Sequence, residues 1–147
     1  MEAALGNTLA TPGAATMLGS PVDLSKITLD SYIIAGIADH ISAWQACYRS
    51  GALLGGDRDF VLSTSGHIAS MVNPPGNPKA SFRSGPLLGE TADQWLKAAS
   101  AQPGSWWPHF VEWLAARSGG EQDAPEALGG PAWPPLEPAP GTYVFES

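Results

Sequence analysis

A short apolar segment early in the sequence is Asp30-Ser31-Tyr32-Ile33-Ile34-Ala35-Gly36-Ile37. Its nearly continuous apolar character is typical of a β-strand buried on both faces, as in a parallel sheet covered by helices. A second strand is predicted at Asp59-Phe60-Val61-Leu62-Ser63. Between the strands, a helix from about 43 to 54 is predicted by residues that share one helical face, namely Trp44, Cys47, Tyr48, Gly51 and Leu54. Strand, helix and strand together predict one right-handed βαβ unit.

Capping signals place the helix ends. Ser42-Ala43-Trp44-Gln45 has the capping-box pattern, and Gly55-Gly56 predicts the end of that first helix. Thr91-Ala92-Asp93-Gln94 is a second capping box, and its helix should end before Pro103. A last amphipathic helix is indicated by Trp107, Phe110, Val111 and Leu114.

These elements predict a single α/β domain, since 147 residues leave room for one. Residues 1–24 are expected to form a linker or partial helix that leads into the core, and residues 25–118 the core itself. Residues 119–147 are expected to form an irregular tail. The reason is that 11 of the 24 residues from Gly119 to Thr142 are Gly or Pro.

The composition excludes several classes of protein. Fourteen acidic against seven basic residues give a net charge of −7, which argues against a nucleic-acid partner. One cysteine excludes a disulfide within the chain and a four-cysteine zinc site, and we expect no metal or cofactor. No apolar run approaches the ~20 residues of a membrane span, and the first residues do not resemble a secretory signal. The expected location is the cytoplasm.

Two polar side chains follow the predicted strands. Asp39 lies two residues past the first strand and His67 four residues past the second. The carboxyl ends of neighbouring parallel strands meet at one sheet edge, about 4.8 Å apart, so these side chains could meet. A carboxylate that fixes the imidazole tautomer leaves the other ring nitrogen as a base. Asp39 and His67 are therefore the candidate catalytic pair.

Plainer interpretations stand beside this one. Asp39 could be only a helix cap, and His67 only a turn residue in a glycine-containing loop. His40 is expected to be a structural hydrogen bonder, and His109 to have no special role on a surface helix. Cys47 falls on the apolar helix face and is expected to be buried in the core.

The nucleophile of a triad is missing from the sequence. No Gly-x-Ser-x-Gly or Gly-x-Cys-x-Gly elbow occurs. In α/β-hydrolases the triad runs nucleophile, acid, base along the chain. The sequence has the acid and base in that order, so the nucleophile would lie before residue 1.

Several long strings carry a family resemblance: 21–26, 30–41, 44–48, 61–68, 72–79, 104–108, 134–137 and 140–144. They resemble the C-terminal part of polyhydroxyalkanoate synthases, from about residue 6 to the end. The similarity is greatest to the class that uses a single type of subunit on short 3-hydroxyacyl-CoA. The family's acid and base motifs fall on Asp39 and His67, whereas its cysteine elbow and N-terminal domain have no counterpart here.

The resemblance implies the C-terminal part of an α/β-hydrolase fold with a Cys-His-Asp triad. It implies an acyltransferase that polymerises (R)-3-hydroxyacyl-CoA, with 3-hydroxybutyryl-CoA the expected substrate, into a growing polyester and releases CoA. It also implies a homodimer in the full-length enzyme and association with the polymer granule surface. This chain, lacking the cysteine elbow, is expected to be inactive alone. Two alternatives stay open, an esterase or depolymerase fragment of the same fold and a non-catalytic truncated remnant.

Overall fold

The computed structural model describes residues 5–89 and 91–146. These divide into two compact units after Arg117. In chain order the strands are β1 (Thr16–Met17), β2 (Ser20–Pro21), β3 (Ser31–Gly36), β4 (Arg58–Ser63), β5 (Ser81–Pro86) and β6 (Ser100–Pro103). The helices are α1 (Trp44–Gly51), α2 (His67–Val72), α3 (Ala92–Ala98) and α4 (Trp107–Ala115).

The first unit is built on a four-stranded sheet in the order β3-β4-β5-β6. β3 and β4 are parallel, with Ile33 opposite Phe60 and Gly36 opposite Ser63, and α1 connects them. The predicted order of strand, helix and parallel strand is therefore present. The sheet as a whole is mixed, because β5 and β6, which were not predicted, add to β4 as antiparallel strands.

The sequence did not predict β5 or β6. β5 is rich in small and polar residues, and Phe82 is its one large apolar side chain buried in the core. Its strand conformation comes from pairing with β4 and β6, and this pairing cannot be predicted from a local apolar pattern. The first strand also differs from expectation. Only Ala35 and Gly36 of β3 are buried, and the other four residues are half-buried, because β3 lies at the sheet edge.

Two helix predictions need correction and two are confirmed. The first helix is shorter than 43–54, and its N-cap Ala43 makes no side-chain cap, so the Ser42 capping box was wrong. Gly55 and Gly56 do not end the helix but allow close contact with another backbone segment. A Cβ added at Gly55 would lie 1.8 Å from the Ser25 oxygen, and one added at Gly56 would lie 2.4 Å from the Leu29 oxygen. The capping box at Thr91 and the helix beginning at Trp107 are present.

Apolar side chains pack on both faces of the sheet, because successive strand residues point to opposite faces. One cluster contains Ala35, Trp44, Tyr48, Phe60, Leu62, Leu87, Trp95 and Ala99. The other contains Val61, Phe82 and Trp106, with Tyr32, Ile34, Trp107 and Phe110 packed against them. α1 and α3 thus contribute to one core, and the start of α4 contributes to the other.

The second unit begins at Ser118. Its described residues contain no α-helix, only an isolated bridge between Gly130 and Trp133 and a 3-10 turn at Tyr143–Phe145. The Glu137 carboxylate accepts hydrogen bonds from the backbone and hydroxyl of Thr142, at 3.2 and 3.0 Å.

In the part of the chain that the structure describes, we find no helix with the length and apolar character needed to cross a bilayer.

We expect the 147-residue chain, produced by itself, to aggregate. β3 has β4 as its one neighbour among the described strands, so its other side presents backbone groups to which a further strand can bind. Leu29, Ile41 and Ile68 are also more than two-thirds exposed. Size-exclusion chromatography and urea unfolding test this expectation. A monomer that unfolds cooperatively would contradict it.

Candidate functional site

The side chains of Asp39 and His67 are in contact. Nδ1 of His67 lies 2.9 Å from Oδ2 of Asp39, although the residues are 28 positions apart. The structure therefore brings together the two residues that the sequence places after neighbouring strands. Asp39 is nearly buried, with its side chain 8% exposed, whereas the His67 side chain is 47% exposed.

Backbone hydrogen bonds that continue the β3–β4 ladder position this pair. The N–H of Ile37 donates to the Ser63 oxygen at 2.9 Å, and the N–H of Ala38 donates to the Ser65 oxygen at 3.1 Å. The connections that leave the two strands are thus held side by side. Asp39 then turns away, with its own N–H bonded to the Gly36 oxygen at 3.2 Å. The carboxylate consequently lies over the end of β4, where His67 begins the next helix.

The two oxygens of Asp39 have separate partners. Oδ1 accepts from the backbone N–H groups of Ile41 and Ser42, both at 2.9 Å, and Oδ2 faces His67. The hydrogen bond from the Ser42 N–H, followed by that from His67, lowers the pKa of Asp39 from 3.8 to about 2. Asp39 is therefore a carboxylate at neutral pH. Asp39 therefore binds the backbone of its own loop, as a capping residue does, and also contacts His67.

His67 is the first residue of α2, and Gly66 is its N-cap. It was expected in a loop, and no helix was predicted here; in the structure α2 begins at His67, just after Ser65, whose φ of 81° is left-handed. An ionised carboxylate can only accept, so Nδ1 of His67 carries the proton in this contact. In the neutral ring Nε2 is then the basic nitrogen. No hydrogen bond to Nε2 is found within residues 5–89 and 91–146.

A close approach between β3 and α2 brings His67 near the sheet. A Cβ added at Gly36 would lie 2.4 Å from Oγ and 2.8 Å from Cβ of Ser70, which is fully buried. The sequence analysis did not single out Gly36 or Ser70. A glycine inside an apolar strand was the available signal, since such a glycine often marks the close approach of another segment.

The other histidines differ from expectation. His40 is exposed, and no hydrogen bond of its ring is found among the described residues, so the predicted structural role is not seen. His109 is half-buried instead of free at the surface. Its Nδ1 lies 3.0 Å from the Tyr32 hydroxyl, and its ring packs against Phe82. Burial raises the pKa of Tyr32, which keeps this phenol protonated.

Cys47 is half-buried, where full burial was expected. It packs against the core cluster around Tyr48 on one side. On the other side its Sγ lies 3.3 Å from Oγ of Ser42. His67 makes its described side-chain hydrogen bond to Asp39 and none to this thiol. Within the described residues no group of three or more His, Cys, Asp and Glu side chains could hold a metal ion.

Known proteins resemble this chain over nearly its whole length. Poly(3-hydroxyalkanoate) polymerase 2 of Ectopseudomonas oleovorans is 51% identical over 139 residues, which is 95% of this chain and 25% of the relative. Poly(3-hydroxyalkanoate) polymerase subunit PhaC of Cupriavidus necator is 44% identical over 140 residues, covering 95% of this chain and 24% of the relative. The corresponding subunit of Rhizobium meliloti is 35% identical over 132 residues.

No protein-family model matches the sequence. The chain spans about a quarter of the length of the curated relatives it matches. Within that quarter the identity to the Ectopseudomonas oleovorans and Cupriavidus necator proteins is 51% and 44%, and the match covers 95% of this chain. Over nearly its whole length the chain is therefore similar to poly(3-hydroxyalkanoate) polymerases, and it matches about one quarter of the length of those proteins.

Proposed function

We propose that this chain is the C-terminal catalytic portion of a polyhydroxyalkanoate synthase and supplies the Asp and His of a Cys-His-Asp triad. The observation that carries the proposal is the 2.9 Å contact between His67 Nδ1 and Asp39 Oδ2, with the histidine accessible. The nucleophilic cysteine belongs to the part of the polymerase outside these 147 residues. The chain is then inactive alone, because His67 has no thiol to activate.

In this proposal His67 is a general base and then a general acid. Nε2 takes the proton of the cysteine thiol, and the thiolate attacks the thioester carbonyl of (R)-3-hydroxyacyl-CoA. The bond from that carbonyl carbon to the CoA sulfur breaks, CoA leaves with the proton from Nε2, and the acyl group remains on the cysteine. Asp39 stabilises the transient imidazolium and holds its ring orientation.

Chain growth follows from the same groups. The hydroxyl of one 3-hydroxyacyl unit gives its proton to Nε2 of His67 and attacks the thioester of another unit. An ester bond forms as a carbon–sulfur bond breaks, and the departing thiolate takes the proton from Nε2. A hydrolase would deliver water to that thioester instead. The polymerase relatives favour transfer over hydrolysis. The intact Asp–His contact favours a working site over a truncated remnant.

The proposal extends to the whole enzyme. The β3–α1–β4 unit and its strand-end residues fit an α/β-hydrolase core, of which residues 25–118 would be the last part, preceded by the linker at 1–24 and followed by the tail at 119–147. A homodimer in the cytoplasm, bound to the surface of the polymer granule, is the assembly that we propose for the full-length protein.

The test uses a hybrid in which this chain replaces the matching quarter of the Ectopseudomonas oleovorans polymerase 2. We expect the hybrid to release CoA from (R)-3-hydroxyacyl-CoA, assayed chromatographically with acyl chains of several lengths. His67→Gln should lower turnover by about 100- to 10,000-fold, the usual contribution of a general base. His40→Gln is the matched control and should retain parental turnover. A folded hybrid without His67-dependent release would contradict the proposal.

Another prediction concerns the charge on Asp39. Its pKa is depressed, so its hydrogen bonds hold above about pH 4 and weaken only as the pH falls through about 2. In the hybrid, Asp39→Asn removes the charge at every pH and should lower kcat by about 10,000-fold at pH 7. Asp57→Asn, at the exposed opposite end of β4, should have little effect.

NMR titration of the Asp39 carboxyl group provides an independent measurement. In His67→Gln the midpoint should rise but stay below 3.8, because the Ser42 N–H remains its strongest hydrogen bond. A parental midpoint at or above 3.8 would overturn this account of the carboxylate.

We also predict that Cys47 is not the nucleophile. Its thiol contacts Ser42 and the core, and makes no hydrogen bond to His67. Cys47→Ala in the hybrid should leave turnover near that of the parent, and thiol reagents should label Cys47 more slowly than the catalytic cysteine. Loss of CoA release in a folded Cys47→Ala hybrid would show that this thiol takes part.

A further inference from the structure

The C-terminal end of α2, the helix that begins with His67, is bound by side chains from a distant segment. Resting on the proposed function, we propose that Ser105, Trp106 and Trp107, here called the 105–107 segment, are positioning residues for His67. They act by hydrogen bonding to the last carbonyl groups of α2. None of them contacts the reacting atoms in this proposal.

The hydrogen bonds account for four consecutive carbonyl groups. Nε1 of Trp106 donates to the Ser70 oxygen at 2.9 Å. Nε1 of Trp107 lies 3.2 Å from the oxygens of both Met71 and Val72. Oγ of Ser105 donates to the Asn73 oxygen at 2.5 Å. The last four carbonyls of a helix have no partner within it, so these side chains satisfy the groups that the end of α2 leaves open.

α2 needs such support because it cannot hold itself. It has six residues, and helices of this length are unstable without tertiary contacts. Its apolar contribution is small, since Ile68 and Val72 are 71% and 61% exposed and Ser70 is its one fully buried residue. The direction of this helix therefore depends more on the hydrogen bonds at its C-terminal end than on apolar packing.

Further contacts connect the bound end of α2 with His67 and the sheet. Oγ of Ser70 donates to the His67 oxygen at 3.0 Å, within the same helix. Nδ2 of Asn73 donates to Oγ of Ser63 at 3.2 Å, at the end of β4. Ser70 also packs against Gly36 at the end of β3. A shift of this end would therefore tilt α2 and move the His67 ring away from Asp39.

The two tryptophans also have a packing role that the test must separate. Their rings are stacked, with centroids 4.4 Å apart, and Trp106 belongs to the buried cluster with Val61 and Phe82. Tryptophan-to-phenylalanine substitutions keep an aromatic ring and remove the indole N–H. Trp107 is the better site for this change, because it is only half-buried.

Trp113 provides a matched control on the same helix, α4. Its Nε1 donates at 2.8 Å to the Asp59 carboxylate, near the start of β4 and away from α2. Trp113→Phe therefore removes an indole hydrogen bond of the same kind without touching the helix of His67. Ser105 provides a second pair of variants, since Ser105→Ala removes the hydroxyl and Ser105→Thr retains it.

The experiment measures kcat, KM and thermal midpoint in the hybrid polymerase, together with the proton NMR signal of the hydrogen-bonded Nδ1–H of His67. We expect Trp107→Phe to lower kcat by up to about 100-fold with little change in KM, since a displacement of about 1 Å can cost that much. The Nδ1–H signal should weaken or shift. Ser105→Ala should act in the same direction, and Ser105→Thr should restore the parental values.

Trp113→Phe should change the thermal midpoint without changing kcat or the Nδ1–H signal. If kcat and the Nδ1–H signal of Trp107→Phe and Ser105→Ala equal those of Trp113→Phe, the positioning role is refuted. If the hybrid shows no turnover that depends on His67, the proposed function fails. The Nδ1–H signal, which requires no turnover, then decides separately whether the 105–107 segment holds the histidine.

Discussion

The parallel pairing of β3 with β4, continued past the strand ends, is the constraint on which the site depends. Two backbone hydrogen bonds, from Ile37 to Ser63 and from Ala38 to Ser65, extend the ladder into the loops. They hold the backbone that leads to Asp39 beside the residues that follow β4. The position of Asp39 in its contact with His67 therefore follows from backbone geometry.

Asp39 shows how one carboxylate orders its own loop and contacts a histidine at the same time. Backbone N–H groups of its own loop hold one oxygen, and the histidine uses the other. The same hydrogen bonds that order the loop lower the pKa of the acid, so the charge and the orientation have one origin. In the proposed triad this arrangement leaves Nε2 of His67 as the single nitrogen available to a thiol from the remainder of the polymerase.

The histidine, by contrast, depends on contacts from elsewhere in the chain. α2 is short and largely exposed, and the side chains that bind its C-terminal carbonyls come from residues 105–107. On the other side the absence of a side chain at Gly36 lets Ser70 approach the sheet. Asp39 is thus held by its own loop, whereas the helix of His67 is held by tertiary packing.

The sequence by itself determined the βαβ unit, the Thr91 capping box, the start of the last helix and the placement of Asp39 and His67 after neighbouring strands. These features follow from local apolar patterns and capping residues, which act within a few positions. Only the tertiary structure decided the antiparallel strands β5 and β6, the close backbone contacts of Gly55 and Gly56, and the anchoring of α2 by Trp106 and Trp107. Each of these features depends on partners that are distant in sequence. Packing and strand pairing stabilise them, and a local sequence pattern does not predict such contacts.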